Sequence, residues 1–208
     1  LEPQDVAYAR ELGYSIKHLG MARQTEAGVE LRVHPTLVPE RSLIAGVNGV
    51  SNAVMVNADA VGTTLFYGPG AGAEPTASSV IADIVDVARL MDSDSDSRVA
   101  PLGRSSEQLK AQKILDIQDV ETGFYIRFSA LDQPGVLSNI TKIMGDAGIS
   151  IEAIIQREQP AGERYVNVII LTNVTKEKCL DEAVAHIEQL ETVRGQVNFI
   201  RVEYLDQH

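Results

Sequence analysis

The chain has 208 residues, 44% of them hydrophobic and 23% charged, with 18 Lys+Arg against 29 Asp+Glu and a formal net charge of −11. That length accommodates one large or two small domains, and the composition is that of a globular protein. The acidity excludes a phosphate-backbone partner, which requires clustered Lys and Arg. No apolar run approaches the ~20 residues needed to cross a bilayer, and the opening LEPQDVAYARELGY has no signal-peptide pattern, so a cytoplasmic protein is expected.

In chain order, residues 3–12 predict a helix ended by Gly13, and residues 15–23 and 29–37 read as strands. Residues 53–57 and 62–67 read as a second pair. After the glycine-rich GPGAG, apolar positions Ala77, Val80, Ile81, Ile84, Val85, Ala88 and Met91 recur at helical spacing. Asp83 and Asp86 belong to the solvated face of that helix. Several strands with only two helices leave this segment short of a complete core. Residues 92–119, rich in Ser and Asp with few large apolar side chains, are expected to form a mobile linker.

Beyond it the rhythm is regular. Residues 123–131 alternate with Phe124, Ile126 and Phe128 on one face. DQPG turns into a helix carrying Val136, Leu137, Ile140, Ile143, Met144 and Ala147, which stops at Gly148. Residues 149–156 read as a strand, QPAGE as a turn and residues 165–171 as a strand. Leu180, Ala183, Val184, Ile187 and Leu190 mark a helix, and residues 197–204 a closing strand. The order β-α-β-β-α-β is the ferredoxin-like arrangement, with both helices on one sheet face and the other left for solvent or a partner. The expected class is α+β, with domains at 1–91 and 120–208.

Chemistry is sparse. Cys179 is a lone, partly buried thiol on a helix, and no spacing of Cys, His or carboxylates predicts a metal site. His18 and His34 lie in strands without a paired nucleophile, His186 and His208 read as surface residues, and Lys17 gains no support. No catalytic constellation emerges. Two turns stand out. In the first, Gly70, Ala71 and Gly72 lead from a strand into a helix, where bare main chain approaches a ligand closely and helix-start amides attract anions. The residues alone leave a tight structural turn equally open. In the second, Asp132, Gln133, Gly135, Val136 and Asn139 surround a helix entry. A zwitterion's carboxylate suits those amides, while Asp132 is expected to cap the helix.

On DVAYARELGYSIKHLG, the long stretch FYGPGAG-x-x-PTASSV and DQPGVLSNITKIMGDAGISIEAIIQ, the chain resembles bacterial homoserine dehydrogenases, and its C-terminal segment resembles an ACT domain. The resemblance implies NADP- or NAD-dependent interconversion of L-homoserine and L-aspartate 4-semialdehyde, on the route to threonine, methionine and isoleucine. It implies a homodimer or homotetramer and amino-acid feedback, with threonine the expected effector at Asp132, Gln133, Gly135, Val136 and Asn139. Gly72 matches the family's nucleotide-contacting glycine, with Gly70 and Ala71 beside it. The helix after this turn would pack on a nucleotide-binding domain, and strands 15–67 would supply the dimer-forming sheet. The sequence contains neither GxGxxG nor the family's catalytic-lysine region, so no catalytic residue carries over and the chain alone is expected to be inactive. The alternative is a non-catalytic regulatory protein that binds an amino acid. Other ACT-bearing enzymes are disfavoured by FYGPGAG and PTASSV.

Overall fold

The computed structural model describes residues 1–91, 103, 106–157 and 163–205. The expected turn at QPAGE, His208 and residues 92–102, 104 and 105 of the expected linker lie outside them, wholly or nearly so. The chain opens with α1 (Pro3–Glu11), β1 (Tyr14–Gln24) and β2 (Val29–Pro39), then runs through β3 (Ser51–Ala58), β4 (Gly62–Pro69) and α2 (Ala73–Met91). It continues with β5 (Glu121–Leu131), α3 (Val136–Asp146), β6 (Ile151–Gln156), β7 (Tyr165–Thr172), the two-residue β8 (Thr175–Lys176), α4 (Glu177–Glu188) and β9 (Val193–Val202).

The compact units do not follow the expected division at 91 and 120. One comprises Leu1–Ala45 with Lys113–His208, and the other Gly46–Gln112. The reason is strand pairing. The ferredoxin-like sheet has the order β9-β5-β7-β6, and β2 adds to its β9 edge in parallel, Thr36 opposite Arg201 and Leu37 opposite Val202. β1 follows as an antiparallel partner of β2 over its whole length, from Tyr14↔Pro39 to Gln24↔Val29. Residues 113–119 are equally tied in. Val29 donates its N–H to the Lys113 carbonyl at 2.8 Å, and the Asp116 side chain caps a 3-10 turn over Ile117–Asp119.

Alternation on β5 decides the packing. Phe124, Ile126 and Phe128 are fully buried against Ile140 and Met144 of α3 and Leu180, Ala183 and Ile187 of α4, as the period-2 and period-3.6 patterns require. The intervening Tyr125 faces the other way. That second face is covered by the chain's own N-terminal segment: Ala9, Tyr14 and Leu37 pack with Tyr125, Ile169, Leu171, Ile200 and Val202. Of the two occupants expected for that face, solvent or a partner, it meets a covering partner supplied by the same chain; burying such side chains is worth about 1.5–3 kcal/mol each. Gly135 precedes α3 at φ +92°, a conformation glycine adopts without strain.

β2 inverts the usual alternation. Glu30, Arg32, His34 and Thr36 point inward, whereas Leu31 and Val33 are 54% and 72% exposed. The inward charges are paired. Arg32 donates to Glu203 at 2.5 Å and to Glu30 at 2.9 Å, and Arg23 donates to Glu203 at 2.8 Å; the Thr122 hydroxyl, which donates to the Val202 carbonyl at 2.6 Å, lies 3.2 Å from the same carboxylate. A second buried pair fastens α1 to β5: Arg127 Nε donates to Asp5 at 2.5 Å, with the Tyr125 hydroxyl donating at 3.2 Å. Burial alone would raise the Asp5 carboxyl, but these donors and the nearby guanidinium hold it below its ordinary range.

In the second unit, β3 and β4 form an antiparallel hairpin from Ser51↔Pro69 to Ala58↔Gly62, followed by α2, which has no buried residue.

Candidate functional site

The glycine corner lies at the end of β4. Gly70 donates its N–H to the Val50 carbonyl at 3.4 Å, and a Cβ added there would stand 2.9 Å from Asn52 Cγ, so a side chain collides. Gly72 has φ +119°, and its carbonyl accepts from the Thr76 N–H at 3.2 Å as α2 begins. Gly70, Ala71 and Gly72 are all exposed. Main chain without side-chain cover thus sits directly ahead of a helix N-terminus, an arrangement suited to an anionic group. Along α2, Val80, Ile81, Ile84, Val85, Val87 and Leu90 are exposed. Asp83 and Asp86 are exposed too, and Asp86 pairs with Arg89 at 3.6 Å.

The second turn departs from expectation in one respect. Asp132 does not cap α3. Its carboxylate accepts from Gln156 Nε2 at 2.9 Å, because β6 ends beside it, and the cap position belongs to Gly135, which has no side chain to offer. The Asp132 N–H donates to the Arg164 carbonyl at 3.1 Å, and the Gln133 carbonyl accepts from the Val136 N–H at 3.3 Å. Asp132, Gln133, Gly135 and Asn139 are exposed together, whereas the Val136 side chain is 5% exposed and belongs to the core. Any ligand at this turn therefore meets Val136 only through main chain.

Cys179 packs at the margin of the core, and His18 and His186 are exposed on β1 and α4. His34 is buried. Its Nδ1 lies 3.1 Å from the Pro35 carbonyl and 3.0 Å from the Thr36 hydroxyl, and Nε2 has no partner among the described residues. Burial, with Arg201 and Arg32 nearby, holds its pKa below the ordinary value despite the Pro35 carbonyl and Glu203. The unfolded chain therefore takes up the proton first. Stability is full above about pH 6.5 and falls as pH drops toward the lowered value, by at most about 1.4 kcal/mol per pH unit. Urea midpoints at pH 7.5 and 5.5 should differ more for the parent than for His34→Gln; equal differences would remove His34 as the cause.

Among the described residues no group of three or more His, Cys, Asp or Glu is arranged to hold a metal, and no helix is long and apolar enough to cross a membrane. The buried ion pairs escaped the sequence reading. Their only signal was charge at every second position of β2, which resembles a solvated strand face.

Residues 1–85 match the family model described as homoserine dehydrogenase, and residues 124–194 match the ACT domain. The homoserine dehydrogenase of Pseudomonas aeruginosa is 52% identical over 99% of this chain and 48% of its own length, and that of Neisseria gonorrhoeae is 48% identical over 99% and 47%. The crystal structure of a homoserine dehydrogenase from Thiobacillus denitrificans superposes with a TM-score of 0.88 at 53% identity, covering 98% of this chain and 46% of that one. The chain spans about half the length of the curated relatives it matches.

Proposed function

Because residues 1–85 match the homoserine dehydrogenase family model and residues 124–194 the ACT domain, we propose that this chain forms part of an NAD(P)-dependent oxidoreductase interconverting L-homoserine and L-aspartate 4-semialdehyde. In this reading it serves threonine, methionine and isoleucine synthesis in the cytoplasm. The observation that carries the proposal is the exposed corner Gly70-Ala71-Gly72 followed by a helix with no buried residue. When bound, the nicotinamide supplies the hydride chemistry. The contribution of these residues is to lie against the cofactor through main chain, while α2 packs on a nucleotide-binding domain. No residue here is assigned as acid, base or nucleophile, and the chain alone is expected to be inactive.

The domain reading at 1–91 and 120–208 is retained as a division of labour. The first segment contributes to catalysis and dimerisation, and the second to regulation by an amino acid, with threonine the proposed effector at Asp132, Gln133, Gly135, Val136 main chain and Asn139. Asn139 supports this, being exposed one turn into α3 with no side-chain hydrogen bond among the described residues. The outward Leu31 and Val33 support a homodimer or homotetramer built on β1 and β2, since such apolar strand faces mark association surfaces. The pairing of β2 with β9 supports a route by which effector occupancy would reach residues 1–45, with a coupling of about 1–3 kcal/mol as is typical of allostery.

The test is Gly72→Val in a full-length homoserine dehydrogenase carrying these residues. The cofactor KM should rise several-fold while the homoserine KM stays within twofold. An unchanged cofactor KM would return the corner to a purely structural role.

A further inference from the structure

A cleft of about 530 Å³ opens within the larger unit where the ends of α1 and β2 meet the sheet, within the about 300–1,000 Å³ of small-molecule sites. None of its lining residues belongs to the turn at 131–139. Arg41, Glu152, Tyr14, Tyr204 and Asn173 supply its polar groups, with apolar wall from Pro39.

The hydrogen bonds fix what these groups have left to offer. The Tyr204 hydroxyl donates to Glu152 Oε2 at 3.1 Å. Its single proton being spent, the 3.1 Å contact between Tyr14 and Tyr204 must have Tyr14 as donor. The chain Tyr14→Tyr204→Glu152 is therefore directed and leaves only acceptors, namely lone pairs on the Tyr14 oxygen and the second Glu152 oxygen. Burial and the neighbouring Tyr14 and Glu152 push the Tyr204 phenol well above its ordinary pKa, so it stays a donor at any physiological pH. The Asn173 amide nitrogen donates to Ser150 at 2.9 Å, leaving its carbonyl oxygen as a further acceptor. Against these stands one strong donor: Arg41 has no hydrogen-bond or ion-pair partner among the described residues.

We propose that this cleft binds a free amino acid as its zwitterion, the ammonium held by Glu152 and the Tyr14 oxygen and the carboxylate by Arg41. One guanidinium with several acceptors matches one carboxylate and one ammonium, whereas a simple anion would leave the acceptors unmet. The site is additional to the effector turn and independent of it. It joins residues 12–41 to residues 152–204, so its occupant binds both segments of the unit at once.

The test is calorimetry on the 208-residue chain with a panel of L-amino acids, their N-acetyl and amide derivatives, acetate and methylammonium. At least one amino acid should bind at millimolar concentration or below. Blocking either charge should weaken it at least tenfold. Arg41→Met and Glu152→Gln should each do the same, while Asn139→Ala leaves this binding unchanged. Both substituted side chains are exposed, and circular dichroism checks that the variants fold. In an Asn139→Ala background, which silences the effector turn, binding that survives both charge variants, binding of acetate as tight as of any amino acid, or no binding at all would overturn the proposal. Loss on Asn139→Ala alone would overturn it too, while leaving the effector turn in place.

Discussion

Replacing Arg32 by Ala is expected to destabilise the larger unit by about 3–5 kcal/mol, read as a loss in the urea midpoint at constant slope. Arg32 is 4% exposed and lies between Glu203 and Glu30, themselves 3% and 6% exposed. Removing it strands two carboxylates where water cannot replace the guanidinium. Arg23 reaches both, at 2.8 and 3.7 Å, but its side chain is 42% exposed and water screens much of its attraction. The origin of the loss has its own control. Arg32→Met combined with Glu30→Leu and Glu203→Leu removes the whole network, and buried ion pairs exchanged for apolar groups of similar size are often neutral or better. The triple variant should recover most of the stability. A cost below about 1 kcal/mol for the single variant would mean that the inner face of β2 is wet.

Leu37→Ala should cost about 2–5 kcal/mol, the range for truncating a fully buried leucine. Leu37 has no exposure and packs with Tyr125, Ile169 and Ile200 across the β2–β9 junction. The informative readout is where the loss is felt. If residues 1–45 and the ferredoxin-like sheet unfold together, amide exchange at Tyr125 and Ile170 accelerates to match the global loss of stability. Two separately folding domains would leave those amides at parent rates. That result would sink the single unit described above.

The sequence was legible wherever information is local. Each expected strand and helix is present with ends shifted by a few residues, because alternation in GFYIRFSAL and the spacing from Val136 to Ala147 are set by neighbours along the chain. The glycine corner was legible for the same reason, and it is exposed as its composition implies. What could not be read is non-local. Nothing in residues 29–39 announces a parallel partner more than 160 residues on, and the pairing involves only two register positions. The buried Glu30, Arg32, His34 and Thr36 make β2 look solvated until Glu203 and Thr122 are placed beside it. Asp132 was read as a cap because Asp commonly fills that role before a helix, yet Gln156, distant in sequence, claims its carboxylate.

The parallel seam between β2 and β9 also imposes a timetable on synthesis. Translation proceeds at about 5–20 residues per second, so β1 and β2 emerge many seconds before the strand that completes their sheet. Until β9 has left the ribosome, Arg32 has no Glu203 to meet and Leu37 no covering face. The first-made residues of this unit are therefore among the last to become native, and a chain stalled before β9 would present its opening hairpin to chaperones and proteases.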